Sequence, residues 1–302
     1  MNAPIFFDED HVRRHLRMAD LIPAMEKALS EFSAGKVKQP VRQVISVDPP
    51  GGFYGIMPAL TPDGLGQKIV TFYPPNAAKG IHTHMALIVL NDPQTGAPLA
   101  VMDGRLITEM RTAAVSAVAT KLLAPKNAKV LAILGSGVQA RSHFEALRLV
   151  RDFSEVRVWS QTKSHGEEFA KEIGAKTMSA EEAVRGADVV VTVTSSTTPV
   201  LKGEWLKRGC HVNAVGACRP DWRELDDEAM SNVLFVDSRE AAMKESGDVI
   251  LSRAKIYAEL GEAFAGKIDN RASETTIFKS LGMAVEDITT ALLVYRAATK
   301  GS

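Results

Sequence analysis

The chain has 302 residues, 45% hydrophobic and 24% charged, and its 36 basic and 36 acidic side chains give a formal net charge of zero. That balance belongs to a globular protein of about two domains. It excludes disordered, collagen-like and coiled-coil readings, and it lacks the basic excess expected of a nucleic-acid or anionic-lipid binder. The longest apolar runs, Met85–Leu90, Val130–Leu134 and Ala291–Tyr295, fall far short of the roughly 20 residues of a membrane span. No secretory signal is read at the start, and Cys210 and Cys218 form no CxxC motif. A cytoplasmic, reduced chain is therefore expected, with no membrane or nucleic-acid partner, no disulfide framework and no metal.

The elements alternate in a way that changes along the chain. An amphipathic helix is predicted over His11–Phe32. Short strands follow at Val41–Val47, Phe53–Met57, Gln67–Tyr73, His84–Asn91 and Pro98–Asp103, separated by Pro/Gly/Asp turns. They predict an antiparallel sheet or a partly closed barrel. A helix is expected over Thr108–Leu123, and from Lys129 onward strands and helices alternate. Strands are read at Lys129–Leu134, Val156–Ser160, Asp188–Thr194, His211–Val215 and Leu234–Val236, with helices at Ser136–Val150, Ser164–Ile173 and Ser179–Val184. This is the pattern of a parallel, doubly wound sheet. The tail from Ser273 to Lys300 is read as one helical stretch.

Within that half, Leu134-Gly135-Ser136-Gly137-Val138-Gln139-Ala140 is a GxGxxA turn after an apolar strand and at the start of a helix. Gly135 would permit the tight turn, Gly137 would let the backbone approach a pyrophosphate, and the helix amides would hold its oxygens. The next strand ends Trp159-Ser160-Gln161-Thr162-Lys163, with no carboxylate for the ribose hydroxyls of NAD. Small hydroxyls and a lysine favour a 2′-phosphate, hence NADPH, and Arg141 is a second candidate phosphate contact.

The first half places Arg42 and Lys68 in strand-like segments and Arg111 in the expected first turn of a helix, where the dipole disfavours a cation. An anion bound nearby would resolve the three anomalies together, and the residues suit a carboxylate clamp with a lysine able to donate a proton. His82 and His84, two apart, would share one strand face; a substrate-pocket or structural role is preferred over a metal pair. His143 and His165 read as packing or helix-surface residues, and the two cysteines as inert buried thiols.

Several segments in order resemble the ornithine cyclodeaminase/mu-crystallin family, most closely its mu-crystallin branch, over roughly residues 5 to 297. They include Lys68-Ile69-Val70-Thr71-Phe72-Tyr73, Arg111-Thr112-Ala113-Ala114, the glycine turn, Asn213-Ala214-Val215-Gly216-Ala217-Cys218-Arg219-Pro220-Asp221-Trp222 and Phe278-Lys279-Ser280-Leu281-Gly282. The resemblance implies an α/β protein: a Rossmann dinucleotide-binding domain (116–284) plus an α+β N-terminal substrate and dimerisation domain. The latter would span 1–115 with a returning C-terminal helix, 285–302, and form a homodimer.

It implies reduction of small cyclic imino acids, of the pyrroline-2-carboxylate or piperideine-2-carboxylate type, with NADPH and with NADH also open. Substrate contacts would be Arg42, Lys68, His84 and Arg111. Cofactor contacts would be Gly135, Ser136, Gly137, Val138, Gln139, Ser160, Gln161, Thr162, Thr194, Val215 and Ser280. Catalysis would fall to Lys68 and Arg111, with Asp221 tuning the proton. Where cyclodeaminases carry an acid/base aspartate this chain has Cys218, which argues against that activity. Alanine dehydrogenase chemistry, and NADPH-regulated binding of a thyroid-hormone-like ligand, stay open.

Overall fold

The computed structural model describes residues 3–266, 269, 271 and 273–299. Two compact units divide the chain: unit 1 runs up to Arg111 and resumes at Met283, and unit 2 is Thr112–Gly282.

Unit 1 begins with β1 (Ile5–Phe7), α1 (Glu9–His15) and α2 (Met18–Ser33). The single helix expected over 11–32 is thus two, because Leu16 and Arg17 take extended backbone between them. Then come β2 (Gln43–Val47), β3 (Gly52–Leu60), β4 (Leu65–Phe72), β5 (His84–Asn91) and β6 (Pro98–Asp103). Among the described residues they form an open six-stranded sheet, in the order β1-β6-β5-β4-β3-β2, rather than a closed barrel. Neighbours are antiparallel except β1, which adds parallel to β6. Three residues were too few for β1 to show a sequence period. Helix α3 (Arg105–Leu123) starts one turn earlier than predicted and carries the chain into unit 2.

Unit 2 alternates β7 (Val130–Leu134), α4 (Val138–Leu147), β8 (Glu155–Trp159), α5 (Lys163–Ile173), β9 (Lys176–Thr177), α6 (Ala180–Val184), β10 (Val189–Thr192) and β11 (His211–Ala214). It continues through α7 (Asp227–Met230), β12 (Val233–Val236), α8 (Arg239–Glu245), α9 (Gly247–Ser252), β13 (Ile256–Glu259), α10 (Leu260–Phe264) and β14 (Thr276–Lys279). The order is β13-β12-β14-β11-β10-β7-β8-β9, every neighbouring pair being parallel. Central strands such as Val189-Val190-Val191-Thr192 are buried along their whole length, as a sheet covered on both faces requires. The strand order reverses between β7 and β10, the switch point where doubly wound sheets open a crevice at their carboxyl ends. The fold is therefore the expected α/β combination of a Rossmann unit with an α+β unit.

The expected single helix over 273–300 is instead β14, a turn and α11 (Ala284–Thr299), with Lys300 to Ser302 outside the described residues. Helix α11 packs against α2 and on β3, β4 and β5 of unit 1. Strand alternation sends Met57, Lys68, Ile88 and Met102 to the buried face of the sheet. The opposite face is apolar yet exposed at Phe6, Ile45, Met85 and Leu87. No helix among the described residues is long and apolar enough to cross a membrane.

Candidate active site

In unit 2 the run Val130–Leu134 ends in a turn that only glycine fits. Gly135 has φ 131°, and a Cβ there would stand 2.7 Å from the carbonyl oxygen of Val193. Gly137 caps α4 without any side-chain hydrogen bond, and a Cβ built on it meets nothing within 4 Å. A ten-residue helix thus begins with amides that no side chain caps, above open space, which fits the pyrophosphate of a dinucleotide. The Ser136 and Ser160 hydroxyls lie 2.8 Å apart, joining the turn to the end of β8, while Gln161 and Thr162 are exposed beside them.

Thr194, Val215 and Ser280 follow the carboxyl ends of the adjacent strands β10, β11 and β14. Val215 N donates to Thr192 O at 3.0 Å and Ser280 N to Ala214 O at 3.0 Å, so the backbone of both is set by the sheet. Arg141, expected as a phosphate contact, is engaged otherwise. Its guanidinium donates to the Ser136 carbonyl at 2.8 Å, pairs with Glu172 at 2.6 Å and stacks over Phe169.

In unit 1, Lys68 on β4 points from the sheet's buried face toward α11, where its Nζ meets Asp287 Oδ2 at 2.7 Å. Arg111 Nη1 donates to Glu286 Oε2 at 2.7 Å and its Nε to Asp287 Oδ1 at 3.1 Å. Because α3 starts at Arg105, Arg111 occupies its second turn, and these two carboxylates balance its charge; the expected conflict with the helix dipole does not arise. Burial, and then the Arg111 and Arg42 cations, push Lys68 down to about 8 against the upward pull of Asp287. Burial would raise Asp287, but Lys68 and Arg111 outweigh it and hold that carboxyl below its ordinary value. Arg42 is half-buried just ahead of β2.

His84 opens β5, and burial followed by the Lys68 and Arg111 cations pushes it down to about 3, so it is neutral at physiological pH. His82 lies in the exposed loop before β5, so the two histidines are not held on one strand face. Asp221 and Cys218 are both exposed in the loop after β11, whereas Cys210 is buried; the expectation of a buried Cys218 is corrected. The fully buried Glu286 and Asp287 carry no site role in the sequence reading. Their signal was two acids in the first turn of a helix, which reads equally as ordinary dipole compensation.

The fold and these sites define a dinucleotide-binding α/β protein with a buried cation–carboxylate cluster in unit 1. The family model for the ornithine cyclodeaminase/mu-crystallin family matches residues 3–302. The chain belongs to this family. It is 52% identical over 309 residues to ketimine reductase mu-crystallin of Mus musculus, covering 99% of both chains. Among solved structures, the Thermococcus litoralis Δ1-pyrroline-2-carboxylate reductase in complex with NADH and L-proline superposes with TM-score 0.93 at 39% identity, covering 98% of each chain. An archaeal alanine dehydrogenase dimer with bound NAD gives TM-score 0.93 at 35% identity, over 98% of this chain and 96% of that one.

Proposed function

We propose that this chain is an NAD(P)H-dependent reductase of small cyclic α-imino acids, of the pyrroline-2-carboxylate or piperideine-2-carboxylate type. The observation that carries the reading is a lysine held at about 8 beside a buried arginine in unit 1, in a chain whose relatives bear the names given above. Substrate binding is assigned to unit 1 and cofactor binding to unit 2. When bound, the nicotinamide supplies a hydride from its C4.

The chain's own residues prepare the acceptor. Arg111 and Arg42 attract the imino acid carboxylate, Arg111 being held in place by Glu286 and Asp287. Lys68, protonated at neutral pH, keeps the C=N nitrogen protonated, and an iminium is a far better hydride acceptor than a neutral imine. His84, neutral, offers hydrogen bonding without adding charge. Asp221, exposed, is assigned no step.

NADPH is the preferred cofactor and NADH the second, on the carboxylate-free Ser160-Gln161-Thr162 segment. The exposed apolar sheet face of unit 1 supports a homodimer formed through that face. The test is oxidation of NADPH and of NADH, followed by absorbance, with each cyclic imine. Turnover with either imine is expected. Cofactor binding without turnover of either, combined with turnover of pyruvate plus ammonia, would move the assignment to alanine dehydrogenase. Cofactor-dependent binding of an iodothyronine without any turnover would move it to a binding protein.

A further inference from the structure

Among the charged side chains that unit 2 buries, three form one cluster that the glycine turn does not use. Glu224, Asp248 and Lys279 are each 0% exposed. Glu224 accepts from the Thr194 amide at 2.6 Å, from Thr194 Oγ1 at 2.6 Å and from Thr192 Oγ1 at 2.7 Å. Asp248 Oδ1 accepts from the amides of Glu224 and Leu225 at 2.8 and 3.0 Å, and its Oδ2 lies 3.0 Å from Lys279 Nζ. Lys279 also donates to the carbonyl of Gly216. The three side chains thereby tie together the carboxyl ends of β10, β11 and β14. The packing leaves no slack, because a Cβ on Gly216 would stand 2.3 Å from Thr194 O and 2.6 Å from Glu224 Oε1.

A brace alone needs no charge. Burying an ion forfeits its hydration, and apolar side chains of similar volume often hold a core as well. Here two carboxylates share one ammonium, which leaves a net charge of −1 when all three are ionised. The position of that charge is informative. A dinucleotide held by the glycine turn would lie across the switch point between β7 and β10, its adenosine half on the side of that turn and the β8 end. The nicotinamide half then falls to the β10–β11 side, where Thr194 and Gly216 sit.

We propose that Glu224, braced by Asp248 and Lys279, is an electrostatic positioning residue of the nicotinamide half-site, whose buried negative charge favours the cationic pyridinium over the neutral dihydronicotinamide. Loss of a hydride leaves one positive charge on the ring, so the cluster biases the pair toward hydride donation. The proposal rests on the cofactor reading above. Burial pushes Glu224 up, while Lys279 and the hydrogen bonds from Thr194 and Thr192 oppose the rise.

The experiment is calorimetric titration of the full chain with the oxidised and the reduced nicotinamide dinucleotide separately, without imine. Glu224→Gln keeps the shape and removes the charge. It is expected to raise the ratio of oxidised to reduced Kd by about fivefold, the order of a unit-charge interaction partly screened by the protein. Asp248→Asn, whose Oδ1 still accepts the two amides, is expected to shift the ratio in the same direction and carries the test should Glu224→Gln not fold. An unchanged ratio in a folded variant, with both affinities falling in parallel or neither falling, would overturn the proposal and leave a structural brace. If the wild-type chain bound neither form, the cofactor reading itself would fall.

Discussion

Lys68 Nζ lies 2.7 Å from Asp287 Oδ2, with the lysine 2% and the aspartate 0% exposed. Asp287 also receives Arg111 at 3.1 Å, so one carboxylate organises both buried cations of this cluster. Replacing Asp287 by Asn would leave two buried cations short of compensation. Breaking such a pair typically costs about 3–5 kcal/mol. Asp287→Asn is expected to lower stability toward urea by that order and to cut kcat/KM for the cyclic imine at least ~10-fold. Equilibrium unfolding and steady-state kinetics check it; a variant equal to wild type in both would contradict the organising role.

The same contact sets a pH dependence. Lys68 titrates at about 8, pulled down chiefly by burial and held up by Asp287. If its ammonium is the form that binds carboxylate and keeps the imine protonated, kcat/KM is full below about 8 and falls as pH rises through it. His84, down at about 3, does not produce that limb. Lys68→Arg would carry a charge that persists far above pH 8, so its kcat/KM, though lowered, is expected to lose the basic limb. A limb unmoved in the arginine variant would assign it to another group.

The glycine turn and the parallel sheet were legible because their signals are local: an apolar strand, a GxGxxA turn and a helix within eleven residues. Lys68 and Arg111 stood out as cations in apolar surroundings. Their partners did not, because Asp287 and Glu286 lie 176 and 175 residues beyond Arg111 and meet it only after α11 packs on the sheet. The same applies to Glu224 and Lys279, which look like ordinary charged residues until their full burial is seen. Element ends were less legible still, as with the break at Leu16 and the strand β14, whose Thr-Ile-Phe-Lys run, though mostly strand-favouring, is too short to show a period ahead of α11.

At the dinucleotide turn, Gly135→Ala combines two penalties. The residue sits at φ 131°, which an L side chain rarely adopts, and the new Cβ would press on the Val193 carbonyl at 2.7 Å. The turn must open, which shifts the amides at the start of α4. At least a ~10-fold rise in the Kd for NADPH is expected, the cost of displaced oriented donors. Calorimetric titration checks it, with circular dichroism to confirm the fold. Unchanged affinity would mean the turn does not hold the phosphates.

The outer sheet face yields a prediction about assembly. Leu87 is 45% exposed and Phe6 63%; Leu87 pairs in register with Ile69, and Ile69 with Ile56. An apolar stripe across neighbouring strands is a face that water covers poorly. Leu87→Glu would place a charge in the middle of it. Sedimentation is expected to show wild-type dimers and a variant shifted toward monomer, whereas a monomeric wild type would remove the dimer from the proposal.

Two buried histidines of unit 2 contribute to acid stability. His143 is pushed down to about 4 by burial, its Nδ1 donating to the Gln139 carbonyl and its Nε2 accepting from Ser116. His211 is pushed down to about 3, again by burial, between Thr276 and Asn213 on the sheet. As pH falls below 6.5, the ordinary imidazole value, the unfolded chain takes up these protons while the folded chain does not. The folded state then binds fewer protons, so stability is lost with falling pH from about 6.5 toward about 4. Removing one such imidazole should flatten the dependence by up to about 1.4 kcal/mol per pH unit within that window. His211→Gln is expected to be less stable at pH 7.5, because two hydrogen bonds change, yet to lose Tm less steeply than wild type between pH 6.5 and 4.5. Parallel Tm curves would show that the imidazole is not excluded from protonation in the folded chain.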